Sequence, residues 1–294
     1  MSQFPTEAVC FHKKLHGSSQ AILTRCSDGY YYAVKFSNNP NGVTSLAREV
    51  VISRLARLLS LPVPEYSLVF VSDWLVRESS GFVMISGERL IRYQAGIQFG
   101  SLTPYSSIRS QFATEYPPSR PTDTICNIDS FAGMLLFDLW TGRSGTRQVL
   151  FLRSSEQQRH YRPLFIDHGL NLHELDPTTT TIPPICGGGR YYGSIRGWGS
   201  FEPWLTRIEE LDDAAIENTL KHFPDEWGIS EQWKEIVVHF LILRRATGRA
   251  ALSSLRSSDA KPFPNWGKSP ERTRATADDI VPELRRSAAS GEGA

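Results

Sequence analysis

Four short stretches of the chain carry residue types suited to handling phosphate. Leu15-His16-Gly17-Ser18-Ser19-Gln20 is a small polar turn ahead of an apolar strand, and its backbone amides and the side chains of Ser18, Ser19 and Gln20 can approach phosphate oxygens closely. Lys35 stands near the end of Tyr32-Ala33-Val34-Lys35-Phe36, where an ammonium can reach an α- or β-phosphate. Glu49 follows on a helical stretch and is the right kind of partner to hold that ammonium by a charge-assisted hydrogen bond. Phe165-Ile166-Asp167-His168-Gly169 is an apolar strand ending in an acid that can bind a magnesium ion bridging phosphates. Each stretch has an ordinary reading as well: a plain loop, a solvated lysine, a solvated helix face and an Asp-containing turn. Their order along the chain is what points to nucleotide chemistry.

Such residues act together only if folded elements bring them together. Ser18–Cys26, Tyr30–Phe36 and Tyr66–Val71 are rich in β-branched, aromatic and aliphatic residues, and Ser27-Asp28-Gly29 supplies a hairpin turn between the first two. Between them, Ser45–Leu59 spaces Leu46, Val50, Leu55 and Leu58 as an amphipathic helix, leaving Arg48, Arg54 and Arg57 for solvent. Leu61-Pro62-Val63-Pro64 ends it. Residues 86–125 lack a period and read as a loop-rich connector. A helix is expected over Asn127–Thr141, a hairpin over Gln148–Leu152 and Pro163–Ile166, and helices over Trp204–Leu211, Ala214–His222 and Gln232–Arg249. The expected organisation is a β-rich lobe over residues 1–85, a mainly helical lobe over 86–252 and a disordered tail over 253–294. A cleft between two unlike walls would result.

Composition narrows the function classes. In 294 residues, 32 Lys and Arg oppose 31 Asp and Glu, so no global field draws the chain to nucleic acid or an anionic membrane, and direct nucleic-acid binding is not expected. No run of apolar residues is long enough for a transmembrane helix, and the first residues lack the pattern of a signal peptide. Cys10, Cys26, Cys126 and Cys186 contain no CxxC pair, which argues against a zinc ribbon or redox motif and leaves a cytoplasmic location as the default. Trp198, Phe201, Trp204, Trp227 and Trp233 read as core, and Gly187-Gly188-Gly189-Arg190 as a flexible loop rather than an anion site.

The sequence resembles the bacterial HipA-like kinases, specifically their short standalone members. The likeness runs through Gly17-Ser18-Ser19-Gln20, Asp28–Phe36, Asn38-Asn39-Pro40, Glu49 with Arg54–Leu59, Leu61–Pro64, Phe131–Leu135, Phe137–Trp140, Arg147-Gln148, Ile166–Gly169 and Ser200–Leu205. It covers roughly residues 8–250. It implies an α+β, two-lobed protein-kinase-like fold with a small β-rich N-lobe and a mainly helical C-lobe. It also implies ATP and Mg²⁺ as cofactors, transfer of the γ-phosphoryl group to a serine or threonine hydroxyl, and an antitoxin-like partner. By the same likeness Lys35 touches the nucleotide phosphates, Glu49 orients it, Ser18-Ser19-Gln20 covers the phosphates and Asp167 holds metal. Gln148 adds a weak metal or phosphate contact through its amide oxygen.

One stretch departs from the family's pattern. Where similar chains carry Asn-x-Asp-x-Arg-Gln, with the aspartate accepting the substrate's hydroxyl proton, this one has Arg143-Ser144-Gly145-Thr146-Arg147-Gln148. Glycine accepts no proton, and loss of a general base costs on the order of 10²–10⁴ in rate. Asp138 and His168 are the nearby candidates for a replacement, each with an alternative structural reading. The leading expectation is a HipA-like Ser/Thr kinase impaired at Gly145. A nucleotide-binding pseudokinase acting as a regulatory module comes second, and a small-molecule phosphotransferase third.

Overall fold

The computed structural model describes residues 5–104, 112–114, 122–153, 155, 158–178 and 182–269. The N-terminal lobe is built from β1 (Thr6–Lys14), β2 (Ile22–Cys26), β3 (Tyr31–Lys35), α1 (Thr44–Leu58), β4 (Tyr66–Val71), α2 (Asp73–Glu78), β5 (Val83–Ser86), β6 (Arg89–Arg92) and β7 (Gly96–Leu102). Strands β1, β2, β3, β7 and β4 close in that order into a barrel, β1 joining β4 in parallel through Thr6–Val69 and Glu7–Phe70. Alternation along the strands fills the barrel: Ile22, Cys26, Tyr32, Val34, Val69 and Val71 point inward and are buried. Strands β5 and β6 form a separate hairpin.

The C-terminal lobe contains a three-stranded sheet of β8 (Phe112–Thr114), β9 (Gln148–Arg153) and β10 (Arg162–Ile166), with α3 (Ser130–Trp140), α4 (Trp204–Glu209), α5 (Asp213–Thr219), α6 (Glu231–Arg244) and α7 (Gly248–Ser257). Every residue of α3 is buried. Its all-round apolar character makes it the central helix rather than an amphipathic surface one. A small third core of Leu46, Val50, Tyr66, Phe99 and Trp227 joins α1 and β7 to the C-terminal lobe.

Several expected boundaries shift. The 86–125 stretch holds β7, and the barrel therefore runs past residue 85. Ile97 and Phe99 alternate as a strand should, but Gly96 and Gly100 depress its strand propensity. Gly100 is required there, because a Cβ would collide with Val69 and crowd Tyr32 on the neighbouring strands. Residues 105–111 and 115–121 lie outside the described residues. The long last helix breaks at Arg245–Thr247, and α7 continues into the expected tail, with Leu252 and Leu255 buried. Phe263 and Trp266 then pack on Phe201. The remainder of that expected tail, 270–294, lies outside the described residues.

Arg54 is not left to solvent. Its guanidinium donates to the Tyr66 hydroxyl at 2.8 Å and to the carbonyls of Thr219 and Lys221 at 2.9 and 2.6 Å, tying α1 to the end of α5. Phe201 and Trp227 are buried as expected, whereas Trp198 is 36% exposed and meets Trp266 edge-on. Gly187, Gly188 and Gly189 all have positive φ, a run open to glycine at little cost.

Candidate active site

Lys35 is the last residue of β3, registered opposite Phe99 of the central strand β7, so the barrel fixes where its side chain leaves the sheet. Glu49 is buried on α1. The ammonium of Lys35 pairs with Glu49 Oε1 and donates to Asp167 Oδ1 at 2.6 Å. Asp167 directly follows β10, across 132 residues of sequence from Lys35. Gln148 opens β9 and pairs in register with Ile166; its amide nitrogen donates to Asp167 Oδ2 at 2.8 Å. Four of the residues expected at the site, from both lobes, therefore meet around one carboxylate.

The chain around Asp167 is held tightly. Asp167 has φ +59°, a left-handed backbone that a non-glycine residue adopts only when its surroundings enforce it. Glu49 Oε2 accepts from the His168 amide at 3.1 Å, so one carboxylate grips both Lys35 and the segment after Asp167. Arg143 and Arg147 donate to the Asp167 carbonyl at 2.8 and 3.2 Å. Arg143 is fully buried and spends its other donors on the carbonyls of Gly145 and Thr146 and on Asn171 Oδ1.

These charges set protonation. Burial disfavours charge on Lys35, but Glu49 and Asp167 outweigh it and raise the lysine above its ordinary value. Burial pushes Asp167 up, and Lys35, with Arg143 and Arg147 behind it, brings it net below the ordinary carboxylate value. Arg143 is lowered to about 10 by burial and by Arg147, which still leaves it charged at neutral pH. His168 is held well below its ordinary value by burial and then by the neighbouring Arg147, Arg143 and Lys35.

Neither candidate for a replacement base is available. Asp138 is buried on α3, where Arg147 clasps both of its oxygens and Asn171 adds a bond at 3.2 Å. His168 is buried, and its Nδ1 accepts from Arg147 at 3.0 Å because a guanidinium can only donate. At Gly145 the space is taken by Leu170, whose Cδ1 a Cβ would strike.

Within the turn expected over the phosphates, the Gln20 side chain is held elsewhere. Gln20 uses its amide at both ends on β5, donating to the Ile85 carbonyl at 2.7 Å and accepting from the Ile85 amide at 2.8 Å. Its backbone carbonyl accepts from Tyr93. The side chain is thereby committed to the β5–β6 hairpin instead of the cleft. Ser18 is exposed, 3.5 Å from the Asn41 amide, and Ser19 is half-buried. Among the described residues, no hydrogen bond joins this turn to Lys35, Glu49, Asp167 or Gln148. Asn171, which braces Arg143, Arg147 and Asp138 together, was not singled out from sequence. Its only signal is an amide between two leucines, four residues after Asp167.

The profile of the HipA-like kinase family matches residues 9–177, more than half of the chain. The chain belongs to the HipA-like kinase family. Among solved structures, a Helicobacter pylori proinflammatory kinase, CtkA, is similar with a TM-score of 0.55 at 15% identity, covering 86% of this chain and 100% of that one. The Golgi casein kinase with Mn and ADP bound is similar with a TM-score of 0.52 at 11% identity, covering 90% and 78%. The fold is thus protein-kinase-like and two-lobed, with a small β-rich N-lobe and a mainly helical C-lobe. No curated protein matches the chain. Among the described residues, no helix is long and apolar enough to cross a membrane.

Proposed function

We propose that this chain binds ATP between its lobes as a HipA-like kinase domain whose transfer to a serine or threonine hydroxyl is impaired, so that it acts as a nucleotide-binding pseudokinase. The observation that carries the reading is one-sided completeness. The Lys35, Glu49 and Asp167 constellation is assembled, while Gly145 and its apolar neighbour Leu170 stand where the acceptor's base is expected.

Lys35 supplies the cation for the phosphates, and Glu49 keeps it in place when it turns toward them. The donor set suits a cation carried in with phosphates, since Asp167 offers one part-exposed carboxylate and phosphate oxygens complete such a shell. It does not suit a cation held by protein alone: among the described residues, no cluster of three His, Cys, Asp or Glu forms. Asp167 and the Gln148 amide, turned over to present its oxygen, are the groups that would hold Mg²⁺. When bound, the ion neutralises charge developing on the transferred group. Arg143 and Arg147 fix the Asp167 backbone for that task. At the acceptor side, among the described residues, no group stands ready to take the proton from an incoming hydroxyl.

Calorimetric titration with ATP and MgCl₂, paired with a labelled-ATP transfer assay, tests this. ATP should bind to the wild type, and Lys35→Met should weaken binding by at least about tenfold. Transfer should be near background in the wild type, and Gly145→Asp combined with Leu170→Ala, which clears the side chain a new Cβ would strike, should raise it by about 10²-fold, the ordinary contribution of a positioned base. Wild-type turnover at the roughly 1–100 s⁻¹ of ordinary kinases would overturn the impaired reading. A folded wild type that does not bind ATP would overturn the nucleotide reading.

A further inference from the structure

Around Asp167 the chain gathers three cationic side chains, Lys35, Arg143 and Arg147, and three carboxylates, Glu49, Asp138 and Asp167. They are joined by direct hydrogen bonds, with Asn171 and the Asp167 carbonyl as bridges. The local charge is balanced without any added ion. If the family's asparagine and aspartate stood at positions 143 and 145, the same cluster would hold two cations and four carboxylates. That excess of two negative charges equals the charge of one divalent ion.

We propose that Arg143 takes over the neutralising part of the divalent cation, so that this chain binds ATP with little dependence on Mg²⁺. The inference rests on the nucleotide-binding reading above and deepens it. Its physical basis is what happens when Lys35 leaves Asp167 for a phosphate. In a site lacking Arg143, the abandoned carboxylate would repel the incoming phosphates until a cation came between them. Here the buried Arg143 guanidinium stays 2.8 Å from the Asp167 carbonyl, with Arg147 at 3.2 Å. A charge held in a low-dielectric interior acts on its neighbours far more strongly than a solvated one. Arg143 cannot swing away, since each of its three nitrogens is committed: Nε to Gly145, Nη1 to Asp167 and Asn171, Nη2 to Thr146. Both oxygens of Asp167 already have nitrogen donors, from Lys35 and Gln148, so its negative charge is partly met by the protein before any metal ion arrives. The substitution that reads as damage in the catalytic loop is, in this view, half of an exchange, in which a carboxylate is lost and a fixed cation gained.

The test is ATP affinity measured by calorimetry in excess MgCl₂ and in EDTA at matched ionic strength. For the wild type the two dissociation constants should lie within about tenfold of each other, as expected where the metal's charge is already supplied. Arg143→Gln should open that gap beyond about tenfold, while Arg143→Lys, which keeps a charge but not the fork, should stay near the wild type. Arg143→Gln leaves buried carbonyls short of donors, and if it fails to fold, the wild-type pair of titrations and Arg143→Lys still decide the matter. Wild-type binding that weakens more than about 100-fold in EDTA overturns this inference alone. Equal cation dependence in wild type and folded Arg143→Gln also overturns it. Absence of ATP binding in both buffers overturns the nucleotide reading and this inference with it.

Discussion

Asp138, His168, Arg143 and Arg147 show how burial assigns roles that residue type leaves open. A carboxylate and an imidazole near a catalytic loop are reasonable bases until the guanidinium between them is located. Arg147 pairs with both oxygens of the one, which is buried, and takes the acceptor nitrogen of the other's ring, so neither presents a free basic atom to a substrate. Cys186 belongs to the same network, its thiol donating to the Arg147 carbonyl at 3.5 Å. Burial, and then the charge of Asp138, push that thiol up to about 11; Cys26 is raised to about 12 by burial and Asp28. Since the thiolate is the reactive form, both buried thiols stay almost wholly protonated and unreactive at pH 8. A thiol reagent at that pH should modify the exposed Cys10 and Cys126 quickly and the other two only after denaturation. Mass-spectrometric mapping of the labelled peptides checks this, and fast labelling of Cys186 in folded protein would mean that the Arg147 network is open in solution.

Most elements were legible because their patterns are local. Tyr66–Val71 is a strand with the expected ends, and the central helix, the β9–β10 hairpin and α1 lie within a few residues of where periodicity puts them. β7 was not legible, although it is the strand to which β3 and β4 both pair, because two of its seven residues are glycines needed for close approach. Nor could spacing reveal that Arg54 would face the C-terminal lobe, or that Gln20 would fasten to Ile85; both follow from contacts between distant segments. The same holds for Glu226 and Trp227. β7 reaches beyond the last residue of β3, and these two side chains take over there: Glu226 accepts from the Ile97 amide, and the Trp227 indole donates to the Ile97 carbonyl at 2.7 Å. Trp227→Phe keeps the aromatic packing and removes that donor, so it should cost about 1–2 kcal/mol in urea unfolding. An unchanged midpoint would mean that water replaces the indole at no cost.

At the level of the whole molecule, stability in the C-terminal lobe draws on residues past its last helix. Phe263 is 6% exposed and meets Tyr192, Phe201 and Trp266. Phe263→Ala should destabilise the fold by about 3 kcal/mol, read as a lower denaturation midpoint with little change in slope. A variant as stable as the wild type would show that this segment merely rests on the lobe. The two lobes are also riveted together. Ile97 is held at both its amide and its carbonyl, and Arg54 reaches the carbonyls of Thr219 and Lys221 from the other side. If ATP binds as proposed, its phosphates enter by an exchange of ionic partners, Lys35 releasing Asp167 as they arrive.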